Sequence, residues 1–381
     1  MHSILNHETN PLHAIAVRTS RPNLAHGQIL VRVQKLILTS NTVTYAVAGR
    51  LPALNYFGHF PYPDKRLAAC PAWGYGIVAE SDCVDIPTGT RIKGCFTLAP
   101  WVVLTPSPVK RSTFKDTVFH RQKMPEIYAT YQIQTKAIEE SMENFMVSGG
   151  LLFSTGWGCA AQGSLAGADT MVLTSASSRT AIGAAFAAKH HAWYNTVIGV
   201  TSPRNVAFVR RQGLYDVVVT YDEINSLSCT PTMKVAVFDM AGSIRHKRAL
   251  RQRFANAVVD YALVGMTNVD AESIAGQRQQ VDSNGGASES GFFVTHAIDK
   301  AACQWGRKIT NRMIMEAQNA FAQWSISSFE SINVYGADEV LNVWNKTVNN
   351  EAECSITYVV SLWNDLFDSE QNMPMAEISK L

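Results

Sequence analysis

Met171-Val172-Leu173 leads through Thr174-Ser175-Ala176-Ser177-Ser178-Arg179-Thr180 into Ala181-Ile182-Gly183-Ala184-Ala185-Phe186-Ala187-Ala188-Lys189, and then to Thr196-Val197-Ile198-Gly199-Val200-Thr201-Ser202-Pro203-Arg204. The first and last apolar runs read as short buried strands, and the alanine-rich stretch between them reads as a helix. A strand–loop–helix–strand of about thirty residues has the spacing of a dinucleotide-binding βαβ unit. Such a unit usually carries three glycines, and here those positions hold Ser175, Ser178 and Ala181. All three are small, so a pyrophosphate can still approach the backbone at the helix N-terminus, with Ser177, Arg179 and Thr180 beside it. An ordinary βα turn, capped by a serine and holding no ligand, fits the same residues.

The end of the second strand bears on the choice of nucleotide. An acidic residue at this point holds a ribose 2′-hydroxyl, whereas an arginine suits a 2′-phosphate. The tip here is Thr201, Ser202 and Arg204, and the first acidic residue beyond it is Asp216. The expected cofactor is therefore NADP(H). Arg204 also fits a plain surface position at the start of a helix spanning Asn205 to Gln212 and ended by Gly213.

From about residue 145 the chain alternates strands and helices. Strands are expected at Val217–Val219, Val235–Asp239 and Val258–Gly265, a pattern that favours a parallel Rossmann-type sheet. Asp239 and Gly265, at strand ends, join the candidate cofactor site. Residues 1 to about 140 are instead strand-rich and broken by turns, with strands at Gln28–Val33, Gly74–Glu80, Ile92–Phe96 and Val102–Leu104. The segment from Gly276 to Gly291 reads as a surface loop. A helix from Asn311 to Trp324 and a strand near Ser355–Val360 complete the pattern. The expected class is α/β. A Rossmann-type domain (146–319) is inserted in a β-rich domain (1–145 plus 320–381).

Composition narrows the functions. In 381 residues, 46% are hydrophobic and 17% charged, enough for a large core and two domains. Formal net charge is +2, with basic residues dispersed, which disfavours a nucleic-acid partner. No apolar run reaches membrane-spanning length, and Met1–Glu8 has no signal-peptide core. Seven scattered cysteines point to reduced thiols in an intracellular compartment, mostly in cores. The final Ser379-Lys380-Leu381 reads as a peroxisomal import signal, with the import receptor as a partner in a eukaryotic source and a cytoplasmic location otherwise. A homodimer stays open.

Several segments, in order, resemble the zinc-free quinone/enoyl reductase branch of the medium-chain dehydrogenase/reductase superfamily. Trp73-Gly74-Tyr75-Gly76-Ile77-Val78-Ala79-Glu80 is similar to its glycine-rich strand, and Thr88-Gly89-Thr90-Arg91 to its V-G-D-R turn. Leu151 to Gly158 resembles the helix beside the nicotinamide, with Thr155 at the threonine position. Phe238-Asp239-Met240-Ala241-Gly242 resembles the family's D-x-x-G-G strand end. Ser175–Ala181, Ser202–Asn205 with Gly213–Asp216, and Trp73–Gly76 are closer still to an offshoot in fungi and bacteria known as a domain of unknown function. The resemblance implies a β-rich domain of GroES-like fold. Where zinc-dependent members carry a cysteine and Gly-His-Glu, this chain has Thr39-Ser40-Asn41 and Trp73-Gly74-Tyr75, so no metal is expected.

Reducing a polarised C=C or C=O requires a hydride donor, hydrogen bonds to the developing oxyanion and a proton source. In the resembled branch the first strand-to-helix segment faces the nicotinamide, and here that segment is Asn41-Thr42-Val43-Thr44-Tyr45. Asn41 and Tyr45 share a face if the segment is helical, Tyr45 as proton donor and Asn41 orienting the substrate oxygen. Tyr45 as a buried core aromatic fits equally. Leu54 to Phe60, with Tyr56 and His59, reads as a loop over a cleft that could line an apolar pocket. Trp157 is expected in the core. The expected function is NADPH-dependent, metal-free reduction of a mainly apolar small molecule. Redox-silent isomerase, dehydratase or carbon–carbon lyase chemistry and a non-catalytic binding role remain alternatives.

Overall fold

The computed structural model describes residues 1–51, 54–265, 292 and 294–364. The expected loop at Gly276–Gly291 and the Ser379-Lys380-Leu381 terminus lie outside the described residues. The chain divides into two compact units. One comprises Met1–Glu140, Ser331–Ala352 and the described residues from Thr357, and the other the described residues of Ser141–Glu330 with Glu353–Ile356.

The first unit opens with β1 (His2–His7), β2 (Ala14–Arg18), β3 (Ile29–Leu38), α1 (Ser40–Val47), α2 (Tyr56–His59), β4 (Leu67–Ala68) and β5 (Pro71–Ser81). It continues with β6 (Arg91–Thr97), β7 (Trp101–Leu104), β8 (Thr113–Lys115), α3 (Glu126–Ala129) and β9 (Thr130–Ile133). The second unit holds α4 (Glu140–Ser148), α5 (Gly150–Leu165), β10 (Thr170–Leu173), α6 (Arg179–His190), β11 (Thr196–Thr201), α7 (Val206–Arg211) and β12 (Val217–Thr220). There follow β13 (Val235–Asp239), α8 (Ile244–Phe254), β14 (Val258–Leu263), α9 (Val294–Trp305) and α10 (Arg307–Ser328). The chain then returns through β15 (Glu330–Tyr335), α11 (Ala337–Val348) and β16 (Ile356–Ser361).

In the first unit a sheet ordered β15-β16-β3-β5-β6-β9-β8, with β7 also on β3, carries the core. A Cβ on Gly74 would lie 2.0 Å from the Lys35 carbonyl, and one on Gly76 2.5 Å from Val31 Cγ1. Those two glycines let β5 lie closely across β3, whose register with it shifts twice. A second sheet, β2-β1-β4, is antiparallel.

In the second unit five parallel strands run in the order β12-β11-β10-β13-β14, a doubly wound arrangement. Every residue of β10 and β13 is buried, as expected of strands covered on both faces. One face packs under α5, α6 and the Phe321 region of α10, the other under α8. At Gly156 of α5 a Cβ would meet Ala184 N of α6 at 2.5 Å and the Thr180 carbonyl at 2.6 Å, so only glycine permits this approach. The helix expected at 311–324 is longer, and Phe321 and Ala322 fix it in the second unit's core. The one expected at 205–212 begins as a 3₁₀ turn at Pro203–Asn205, because proline supports a tight first turn, and ends before Gly213 at φ 66°. Of the seven thiols, Cys70, Cys95 and Cys159 are buried, Cys83, Cys229 and Cys354 partly so, and Cys303 is exposed. Cores therefore claim fewer of them than expected.

Trp157 is fully buried, and its Nε1–H donates to His191 Nε2 at 3.0 Å. Burial, with His190 adding to it, lowers the His191 pKa to about 4. The folded imidazole stays neutral while the unfolded one gains a proton below about pH 6.5. The stability it contributes is complete above that value and falls as pH drops toward 4. His191→Phe should therefore flatten the loss of Tm between pH 6.5 and 4. Parallel Tm–pH curves for the two proteins would detach His191 from the acid sensitivity.

Candidate active site

Thr174, at the end of β10, is fully buried. Its Oγ1 donates to Asp239 Oδ1 at 2.6 Å and accepts from Met240 N and Ala241 N at 2.9 and 3.0 Å. Asp239 Oδ1 also accepts from Ala241 N and Gly242 N, and Oδ2 from the Tyr261 hydroxyl. The Asp239 carboxylate is thus spent on tying β10, β13 and β14 together. Gly265 N donates to the Asp239 carbonyl, and a Cβ there would lie 2.9 Å from the Met240 carbonyl. Both residues shape the strand ends where a nucleotide would lie, and their polar groups face the protein.

The turn between β10 and α6 is built without glycine. Ser175 adopts φ 45°, the left-handed region that glycine normally supplies. Two hydrogen bonds stabilise it there: its N–H donates to the Tyr221 hydroxyl at 2.9 Å, and its Oγ lies 3.2 Å from that hydroxyl. Tyr221 in turn stacks on His246, ring centroids 3.9 Å apart. The Tyr215 hydroxyl donates to the Ala176 carbonyl at 2.7 Å. Ser178 is the extended N-cap of α6, its side chain accepting from Ala181 N. Ala181 is fully buried. Arg179 and Thr180 therefore open a twelve-residue helix whose first N–H groups have no carbonyl one turn back.

Arg179 is 9% exposed, its guanidinium carbon 3.2 Å from the Phe329 ring centroid. Burial lowers its pKa to about 9, so it remains a cation at neutral pH. Ser177 Oγ accepts from Asn205 Nδ2 at 3.0 Å, fastening the turn to the tip of β11. At that tip Thr201 is buried, Ser202 half-buried and Arg204 exposed. Thr155 is half-buried on α5, one residue before the Gly156 that packs against α6.

In the first unit Asn41 and Tyr45 both fall on α1, which Thr39 caps with a capping box. Tyr45 is 4% exposed, and its hydroxyl accepts from Trp73 Nε1 at 3.0 Å. Leu54–Phe60 is a correction to the sequence reading. It contains the short helix α2, with Tyr56, Phe57, His59 and Phe60 all buried, so it is packed structure and not a loop over a cleft. His59 Nδ1 bonds the His120 carbonyl at 2.8 Å, and Tyr56 Oη lies 3.0 Å from Tyr128 Oη. The rings of Tyr45, Tyr56 and Tyr128 lie 4.8 to 5.8 Å apart, centroid to centroid. Burial raises all three phenols, and hydrogen bonds to Tyr56 and Tyr45 partly offset the rise in Tyr128. All three stay protonated at neutral pH, a cluster able to give a proton but poorly able to hold a phenolate. Tyr128, Tyr221 and Thr174 had no motif to mark them; only the pairing of distant segments gives them their partners.

Among the described residues no three His, Cys, Asp or Glu side chains converge as a metal site requires, and no helix is long and apolar enough to cross a membrane.

The pairing of a parallel-sheet unit with a β-rich unit recurs in solved structures, which share the fold. CurA from Vibrio vulnificus, in complex with NADPH, superposes with a TM-score of 0.58 at 12% identity, covering 92% of this chain and 94% of that one. Mycobacterial Rv1454c, also complexed with NADPH, gives 0.55 at 15% identity over 94% and 99%. The CurF ER cyclopropanase of the curacin A pathway gives 0.54 at 12% identity over 94% and 98%. No curated protein sequence matches the chain. Residues 36–353 match the family described as "Protein of unknown function (DUF2855)", and the chain belongs to that family.

The clamp at the strand ends can be tested directly. Thr174→Val removes the donor to Asp239 and the acceptor for two N–H groups while keeping the shape. It should destabilise the protein by about 1–3 kcal/mol in urea unfolding. An unchanged midpoint would mean that the Asp239 contacts are replaced at no cost.

Proposed function

We propose that the protein is an NADPH-dependent oxidoreductase that reduces an activated C=C or carbonyl of a mainly apolar small molecule, without a metal. The observation that carries this reading is the turn between β10 and α6, closed by the acid-free tip at Ser202 and Arg204. The residues fit the cofactor. Ser175 takes the backbone conformation of the missing glycine, Ala176, Ser177 and Ser178 stay small, and α6 presents its first turn. NADPH-bound CurA and Rv1454c share the fold and support the choice of nucleotide.

Bound NADPH would supply the hydride, and this chain's residues would do the rest. Ser177, Thr180 and the first N–H groups of α6 hold the diphosphate, and Ser202 with Arg204 the 2′-phosphate. Thr155 and Asn41 orient nicotinamide and substrate oxygen. Tyr45 delivers the proton, its burial keeping the phenol protonated while Trp73 donates to its oxygen. The aromatic surroundings suit a mainly apolar substrate. A redox-silent isomerase or lyase is the second reading, favoured by one observation: the Ser175 N–H is already taken by Tyr221.

Calorimetric titration should show NADPH binding more tightly than NADH. Arg204→Ala should weaken NADPH by about 1–3 kcal/mol and leave NADH nearly unchanged. Absence of saturable binding of either nucleotide at millimolar concentration would refute the cofactor assignment. With a turnover assay in hand, Tyr45→Phe should lower kcat by roughly 10²–10⁴ without altering NADPH affinity. Full-rate turnover in that variant would make Tyr45 a packing residue, and turnover without nucleotide would favour the second reading.

A further inference from the structure

A cavity of about 540 Å³ lies within the first unit, between β1 and β2, the chain after α2, the β6–β7 connection and the turn at Phe119–Arg121. None of Tyr45, Tyr56, Trp73 and Tyr128 lines it. Its volume is in the range of small-molecule sites, roughly 300–1,000 Å³. Phe60, Tyr62, Trp101 and Val102 give it an apolar and aromatic wall. The charge on its lining is one-sided. Arg18, His120 and Arg121 line it, and no aspartate or glutamate does among the described residues.

The arginines differ in what they can offer. Arg121 is 5% exposed, pairs with Asp116 at 3.0 Å, donates from Nη1 to the Tyr131 hydroxyl at 2.8 Å and stacks on Phe60, 4.3 Å from the ring centroid. Its charge is balanced by Asp116, so it is a fixed, neutralised part of the cavity wall. Arg18, at the end of β2, is exposed, has no ion pair among the described residues and supplies a positive charge at the lining. Burial, then the neighbouring Arg121, lowers the His120 pKa, so its imidazole adds hydrogen bonding and no charge at neutral pH.

We propose that this cavity binds an amphipathic carboxylate, its apolar part against Phe60, Trp101 and Val102 and its head group on Arg18. An apolar wall with only basic charge rejects a cationic amphiphile, whose ammonium would be desolvated without a counter-charge. A neutral alcohol of the same length gains the apolar burial and loses the charge-assisted hydrogen bond. The proposal is independent of nucleotide binding, because the cavity lies wholly in the first unit.

Calorimetric titration of the full chain with octanoate, octanol and octylammonium tests it, beside the variants Arg18→Glu and Ala99→Trp. Ala99 lines the cavity, and the indole would fill it. Octanoate should bind one per chain, about tenfold or more tighter than octanol. Arg18→Glu should bring octanoate down to the octanol level, and Ala99→Trp should abolish binding of both. Arg18 is exposed, so its variant remains informative if Ala99→Trp does not fold. Three results would each overturn the proposal: no saturable octanoate binding at millimolar concentration, octylammonium binding as tightly as octanoate, or octanoate affinity unchanged in Arg18→Glu.

Discussion

The second unit depends on the 2.6 Å hydrogen bond from the Thr174 hydroxyl to Asp239. At the carboxyl end of a doubly wound sheet, central strands diverge and their last peptide groups lose their ladder partners. Thr174 and Asp239 take over that role, between them receiving the N–H groups of Met240, Ala241 and Gly242. The crevice floor is therefore a closed polar network in a water-free setting, where each bond strengthens the others and a missing one is costly. Everything proposed for nucleotide binding rests on that floor being rigid.

A rigid floor also explains how the turn above it dispenses with glycine. A serine in the left-handed region is strained relative to glycine, by an amount on the order of 1 kcal/mol. The strain at Ser175 persists because Tyr221 engages both its N–H and its hydroxyl, and His246 stacks on Tyr221. Tyr215 fixes the next peptide, and a Cβ on Gly199 would lie 2.8 Å from that tyrosine ring. Hydroxyl groups supplied from just before and just after β12 do the conformational work that glycine does elsewhere. The same bonds occupy a donor that a bare glycine turn would offer to phosphate.

What the sequence disclosed follows from where the information sits. Strands β10 and β13 are buried on both faces, so continuous apolar runs marked them within a residue. Ser175 to Ala181 were legible as a nucleotide turn because spacing along the chain carries that signal. Strands β8 and β15, at the two edges of the large sheet, were not read. β8 has three residues, and β15 exposes its first four. Without a strict apolar alternation, such edge strands look like loops. Leu54–Phe60 looked like a loop because it is rich in aromatics and carries Asn and Gly, yet its aromatics are buried. Composition cannot separate an aromatic lid from an aromatic plug. Thr174–Asp239 and Ser175–Tyr221 join residues 65 and 46 positions apart, which no local pattern encodes.

The two units differ in how their polar groups are committed, and that difference bears on chemistry. Tyr45, Tyr56 and Tyr128 lie in a water-poor cluster where ionisation is strongly disfavoured, so any proton that the cluster lent would have to be returned quickly. A phenol of that kind suits protonation of a carbanion or alkoxide more basic than itself, and it suits poorly the role of a resting base. At the turn the opening N–H groups of α6 carry partial positive charge, which favours an anion close by. One site is disposed to donate a proton and the other to receive negative charge. The proposed reduction by a phosphorylated hydride carrier would call on each of these capacities, whereas an isomerisation that returns the proton it takes would be better served by a base that can hold it.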